Sequence, residues 1–289
     1  MSRRRTAALG ALALVGAGAR WRAGAAADPT AVRRKIAVAT WRAPREGRIM
    51  TRLVVDADPV LEHVAARRAA GAKGLTPMHV LGAACARGLH AVPVANSRVL
   101  FGRVVPFRDV AVGFAVDIGQ GSDLAPVKVS GADRLTPEEI AERVWEGVNS
   151  LRAGTHPGFR RSARIAAALP TPLMRPVLAA SSLVLGGLGL PLLGQPGHPL
   201  GAVFISNIGA LGIEEAFMAP LPFARAHLYI ALGTIDERPV VRGGEVVAVR
   251  QFTLSVTGDH RLVDGVQAAV YFAAVLDLLA HPERLDERP

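Results

Sequence analysis

Residues 251–280, QFTLSVTGDHRLVDGVQAAVYFAAVLDLLA, change periodicity midway. The part from 251 to 257 alternates in the two-residue repeat of a strand. The part from 264 to 280 has apolar residues at helical spacing and reads as a terminal amphipathic helix. Between them, Asp259-His260-Arg261-Leu262-Val263-Asp264-Gly265 occupies a strand-to-helix junction. Such junctions hold side chains in defined positions on a rigid scaffold. A histidine flanked by two carboxylates and an arginine suits a tuned base. On spacing alone, a structural histidine is an equal alternative.

Upstream, residues 239–249 read as a hairpin with Gly243-Gly244 at its tip. Residues 227–235 form an apolar strand, and residues 202–206 another, followed by a glycine-bearing loop at 207–212. That places Ser206 at the end of an apolar strand, where its hydroxyl has a fixed position. A turn-forming serine is the alternative, and no G-x-S-x-G elbow marks it as a nucleophile. Residues 98–129 read as sheet in three runs, with a turn at 119–122. Thr136-Pro137-Glu138-Glu139 starts a helix with acids in its first turn. Asp58-Pro59, with Asp58 as N-cap, and Thr76-Pro77 start two more, running to about Ala70 and Val92. Residues 49–56 read as a strand and 30–40 as a short entry helix. The order of elements predicts an α/β or α+β single domain with a large central sheet.

Two segments stand apart. The chain has 289 residues and a net charge of +10. Residues 1–48 hold eleven of the arginines and lysines against Asp28 and Glu46, a net +9. The remainder is nearly neutral, with no basic recognition motif, which argues against nucleic-acid binding. Residues 1–29 read as a basic tail, with an export signal as the alternative because Arg3 to Arg5 precede a weakly apolar run. A cytoplasmic protein is expected. The second segment, about 157–200, is apolar and interrupted by Pro170, Pro172, Pro176 and Pro191, so two short helices and a loop are predicted. It is expected to be a helical flap covering the core; an altered substrate pocket, membrane contact and a changed assembly are the functional alternatives. The single cysteine, Cys85, lies in an apolar helical pattern and is expected to be buried and inert. No cysteine-rich metal site can form, and no metal is expected.

DHRLVDG resembles the His-x-x-x-Asp-Gly signature of the dihydrolipoyl acyltransferase catalytic domains, the core subunits of 2-oxoacid dehydrogenase complexes. ISNIGALG, 205–212, is similar to that family's serine strand and glycine loop. RRKIAVATW, VAVGFAVDIGQG, LAPVKVSGADRLTPEEIAERV and TIDERPVVRGGEVVAVRQFTLSVTGDHR follow the family's pattern in order, from about Arg33 to Leu285. The resemblance implies a chloramphenicol acetyltransferase-like fold with a mixed central sheet flanked by helices. It implies an acyltransferase without a tightly bound cofactor, taking coenzyme A or acyl-CoA as substrate. His260 would deprotonate a thiol, Ser206 would hold the oxyanion, and Asp264 would pair with Arg33 or Arg34. Asp259 and Gly265 would support the loop. The two reactive residues would meet across a subunit boundary in a homotrimer or a higher multiple of three.

No lipoyl or peripheral-subunit-binding domain is visible in the sequence, so a lipoylated carrier is expected from another chain. Gly258 stands where relatives carry a bulky residue, which would loosen the loop or widen the pocket. A member using a non-lipoyl acceptor and an inactive scaffold of the same fold are the rival readings.

Overall fold

The structure, a computed structural model, describes residues 47–118 and 124–288. The tail at 1–29, the entry helix at 30–40, Arg33, Arg34 and the turn at 119–122 lie outside the described residues. Strand β1 (Arg48–Asp56) leads into helices α1 (Asp58–Ala69) and α2 (Pro77–Gly88). Both helices carry proline in the first turn, where its missing N–H costs nothing. The N-cap of α1 is Ala57 rather than Asp58, which instead places its charge in the first turn. Helix α2 stops at Gly88, short of the expected Val92. The N–H groups of Leu89 to Val92 reach back only three residues, tightening the chain ahead of Pro93.

Helix α2 is buried along most of its length and lies at the centre of the core. Gly82 permits this: a Cβ there would come within 2.5 Å of the Phe114 ring. Cys85 is fully buried, and desolvation pushes its thiol up to about 12, so it is inert as expected.

A small hairpin follows, β2 (Ser97–Leu100) with β3 (Arg103–Pro106). Residues 98–103 are therefore not the single strand expected. Phe101 and Gly102 both have positive φ, 51° and 74°, which makes them a two-residue turn. Strands β4 (Ala111–Asp117) and β5 (Leu124–Ser130) precede helix α3 (Pro137–Arg152). The Thr136 and Glu139 side chains cap α3 reciprocally, and Ile140, Val144, Val148 and Leu151 form its buried stripe.

Near the C-terminus the two strands and the hairpin expected between 227 and 257 merge into two continuous strands. These are β7 (Leu228–Arg242) and β8 (Glu245–Asp259), joined at Gly243-Gly244 and irregular in register between Leu232 and Ile235. Pro239 is tolerated because β6 (Val203–Asn207) pairs with β7 only as far as Leu232, so among the described residues no strand pairs with that edge of β7 at Pro239. Helix α6 (Gly265–Ala280) closes the domain.

The large sheet has the order β1-β8-β7-β6-β4-β5. β6 runs parallel to β4 and β7, and the other pairs are antiparallel. This is the mixed sheet anticipated from the sequence. One face carries Val203, Ile205, Leu228, Ile230, Leu254 and Val256 into the main core with the helices. Arg67 ties α1 to Glu138 of α3 and to Asp286 near the end of the chain.

The segment at 157–200 forms α4 (Pro157–Ala168), α5 (Thr171–Ser181) and a wider helical turn at Ser182–Leu188. Two short helices and a loop are thus found where expected. As a flap it covers little. Ala166 and Met174 pack with Leu169 and Leu178 in a small cluster apart from the main core. Only 22% of residues 171–188 are buried.

Two histidines are sealed into the fold. The Thr76 N–H donates to Nδ1 of His79 at 3.1 Å, so His79 caps α2 with an unprotonated nitrogen. Desolvation lowers both His79 and His227 to about 4. Both imidazoles are neutral in the folded chain and charge on unfolding, so the unfolded state binds more protons below pH 6.5. Stability is therefore complete above that pH and falls as pH drops toward 4. At pH 5 each histidine costs about 2 kcal/mol. The urea midpoint is expected to fall between pH 7 and pH 5, and His227→Leu is expected to flatten that slope. A slope unchanged in the variant would show that His227 is not buried neutral.

Candidate active site

His260 follows directly on β8. The Asp259 N–H donates to the His227 carbonyl and the His260 N–H to the Gly47 carbonyl, at 3.1 and 3.2 Å. Leu262 and Val263 are buried and donate back to the Asp259 carbonyl, so the loop is pinned by the core beneath it. His260 itself is exposed.

The carboxylates beside His260 do not act as its partners. Asp259 is buried and is bound by Arg261, with Nε at 2.9 Å from Oδ1 and Nη2 at 2.5 Å from Oδ2. Arg48 approaches from β1 at 3.5 Å. Burial would raise the Asp259 carboxyl, but the Arg261 bonds and charge, with Arg48, outweigh it and hold the group below its usual range. Asp264 caps α6, accepting from the Gln267 N–H at 3.0 Å, while Gln267 Oε1 accepts from the Asp264 N–H. The reading of a histidine tuned by two adjacent carboxylates is corrected within the single chain: one carboxylate braces the loop and the other caps a helix. Among the described residues the His260 imidazole has no hydrogen-bond partner.

Gly265 opens α6 with open space where a Cβ would stand, so nothing among the described residues requires glycine there. Gly258 pairs with Leu228 and Ile49, and a Cβ would meet those two side chains at 3.5 and 3.3 Å. Its space lies between strands β1 and β7, against Ile49 and Leu228.

Ser206 lies on β6, level with Ala231 of β7 and, through it, Ser255 of β8. It is half-buried, and its hydroxyl has no partner among the described residues. Cross-strand neighbours share a face, so Ser206 lies on the side away from the helices, with Phe204, Tyr229, Ser255 and Thr257. The Phe204 and Tyr229 rings meet edge to face at 5.8 Å on that side. The hydroxyls of Thr253, Ser255 and Thr257 are buried there without hydrogen-bond partners. Sequence reasoning missed this row, although its signal was the alternation Thr-x-Ser-x-Thr along β8.

A cleft of about 330 Å³ opens at the end of β6, lined by Pro77, Asn207, Gly209, Ala210, Gly233 and Asp236 among others, with Ser206 not in its wall. Asn207 shapes its rim, Oδ1 accepting from the Ala210 N–H at 3.2 Å. Gly233 is required here, because a Cβ would stand 1.9 Å from the Glu214 carbonyl oxygen. The turn glycines at 207–212 were legible; the partner wall at 233–236 was not, since it is remote in sequence.

The register separates the two reactive residues. Gly258 is level with Leu228 and Val203, so His260 lies beyond the start of β6 and Ser206 near its end. Five residues along the sheet and two strands across it place them roughly 20 Å apart. A single chain does not bring them together.

The family model of the 2-oxoacid dehydrogenases acyltransferase (catalytic domain) matches residues 29–157 and 200–286. The dihydrolipoyllysine-residue acetyltransferase component of the acetoin cleaving system of Bacillus subtilis is 26% identical over 211 residues, 73% of this chain and 43% of that protein. The chain spans less than half the length of the curated relatives it matches. A probable dihydrolipoamide acetyltransferase of Listeria monocytogenes superposes with a TM-score of 0.63 at 16% identity, covering 89% of this chain and 91% of that one. The Azotobacter vinelandii dihydrolipoamide acetyltransferase, solved to investigate a serine, a histidine and an asparagine in its catalytic mechanism, gives 0.59 at 20% identity, with 84% and 85% covered.

Proposed function

The chain belongs to the 2-oxoacid dehydrogenase acyltransferase (catalytic domain) family, and from that membership we propose that it moves acyl groups between coenzyme A and a dihydrolipoyl or related thiol by direct transfer. The observation that carries this reading is that the chain presents both an exposed histidine and a serine hydroxyl, each on a rigid scaffold and each without a partner among the described residues. The spacing agrees with the Azotobacter enzyme. There the asparagine lies four positions after the histidine and the serine 52 before it. Here Asp264 lies four positions after His260 and Ser206 lies 54 before it.

In the proposed step, His260 takes the proton from the attacking thiol, which at neutral pH is mostly protonated. The sulfur adds to the thioester carbonyl, and the Ser206 hydroxyl donates to the oxyanion that forms. Collapse breaks the original carbon–sulfur bond, and the imidazolium returns its proton to the departing thiolate. Asp259, with Arg261 and Arg48, keeps the histidine loop in shape. The separation of about 20 Å within one chain requires that His260 of one copy face Ser206 of another, which agrees with the trimer that the family resemblance implies.

The test is release of free coenzyme A when purified protein is given acyl-CoA and dihydrolipoamide, with the mass in solution measured by light scattering. Turnover by a species of three chains or a multiple of three is expected. A stable trimer that turns over no acyl-CoA tested would favour the scaffold reading, and an active monomer would refute the shared site.

A further inference from the structure

We propose that the segment between α3 and β6 seats the protein on the surface of an anionic lipid bilayer. The family model matches up to residue 157 and again from 200, so α4, α5 and the turn after them fall outside the family match. Their charge is one-sided. Residues 147–213 contain no aspartate or glutamate and five arginines. Arg161, Arg164 and Arg175 are exposed.

Their apolar side chains face outward. Along the helix at 171–188, Leu173, Val177 and Leu188 are 54%, 43% and 47% exposed. Leu173 and Val177, four residues apart, share a face of the α-helix, and Leu188 is exposed in the wider turn that follows. Met174 and Leu185 are buried. Leu190 and Leu193 continue the exposed apolar surface after the helix ends. A segment with exposed apolar side chains and arginines and no acidic residue in its own sequence has the composition of an interfacial segment.

The helix lies in the surface rather than crossing it. Its C-terminal end is fastened to the domain, with Arg98 Nε donating to the Gly187 carbonyl at 2.7 Å and the His198 N–H donating to the Leu185 carbonyl at 2.9 Å. A crossing would put its other end on the far side of about 30 Å of hydrocarbon. The chain from α3 would have to reach that side through residues 153–170, which would carry Arg161 and Arg164 into the hydrocarbon. Pro176 also interrupts the helix. A second copy of this chain is a poorer occupant than lipid. A face paired with itself would set arginine against arginine, with no carboxylate anywhere in 147–213 to offset them.

The test is flotation of the full chain with vesicles of phosphatidylcholine alone or mixed with phosphatidylglycerol. Binding to the mixed vesicles, weakened by salt, is expected. L173D/V177D is expected to bind at least about tenfold more weakly, with unchanged mass by light scattering and unchanged acyl transfer in solution. Replacing Arg161, Arg164 and Arg175 with serine is expected to remove the preference for phosphatidylglycerol. Wild-type protein that stays off both vesicles would overturn the proposal. So would equal binding by L173D/V177D, which would assign the attraction to the basic residues before 48, or a fall in that variant's mass, which would assign the face to contact between copies.

Discussion

His260→Ala is expected to lower acyl transfer by about 10²–10⁴-fold, the usual loss when a positioned general base is removed. The fold should survive, because the side chain is exposed and the loop is anchored by Leu262, Val263 and the buried Asp259 rather than by the imidazole. The loss should be largest near neutral pH and shrink as pH rises and the substrate thiol ionises without help. A structural histidine would not show that convergence, so the pH profile separates the two roles. The distance between His260 and Ser206 adds a second readout. If each site combines the histidine of one chain with the serine of the next, two inactive variants can rebuild it. Equimolar His260→Ala and Ser206→Ala chains, dissociated and reassembled together, should regain about one quarter of the wild-type rate, the chance that a boundary joins two intact groups. Mixing without any recovery, although mixed assemblies form, would place both residues of a working site in one chain.

The fold was legible where local signals and tertiary packing agree. Thr136-Pro137-Glu138-Glu139 started a helix because its cap needs only residues three apart, and the stripe at 140, 144, 148 and 151 faces the core. The junction at 259–265 was legible for the same reason. The errors share a cause in that they depend on a neighbour distant in sequence. One long hairpin was broken into three pieces because Pro239 reads as an interruption, and that β6 ends short of it is visible only once β6 is placed beside β7. The flanking carboxylates read as partners of His260 because they are adjacent. Arg48, which helps to hold Asp259, lies more than two hundred residues away and reaches it only through the pairing of β1 with β8. The buried hydroxyls of β8 escaped notice because the alternation that reveals a strand does not say which face is closed.

Ser206→Ala is expected to lower kcat by about 10²–10³-fold with little change in KM, since the lost hydrogen bond forms mainly with the oxyanion of the transition state. The loss corresponds to about 3 kcal/mol, the range found for a single donor in comparable sites. The hydroxyl is suited to this role by what it lacks. It has no partner among the described residues, so it need not break a bond to reach the developing charge. Its strand is held on both sides by parallel neighbours β4 and β7, which fixes its position before substrate arrives. Ala231 stands level with it on β7 and offers no base to turn it into a nucleophile. Ser206→Cys should therefore gain no covalent route, and kinetics should be sequential, the acyl thioester and the accepting thiol both being bound before transfer. Ping-pong kinetics, or an acyl group found on Ser206 by mass spectrometry, would assign it nucleophilic catalysis instead.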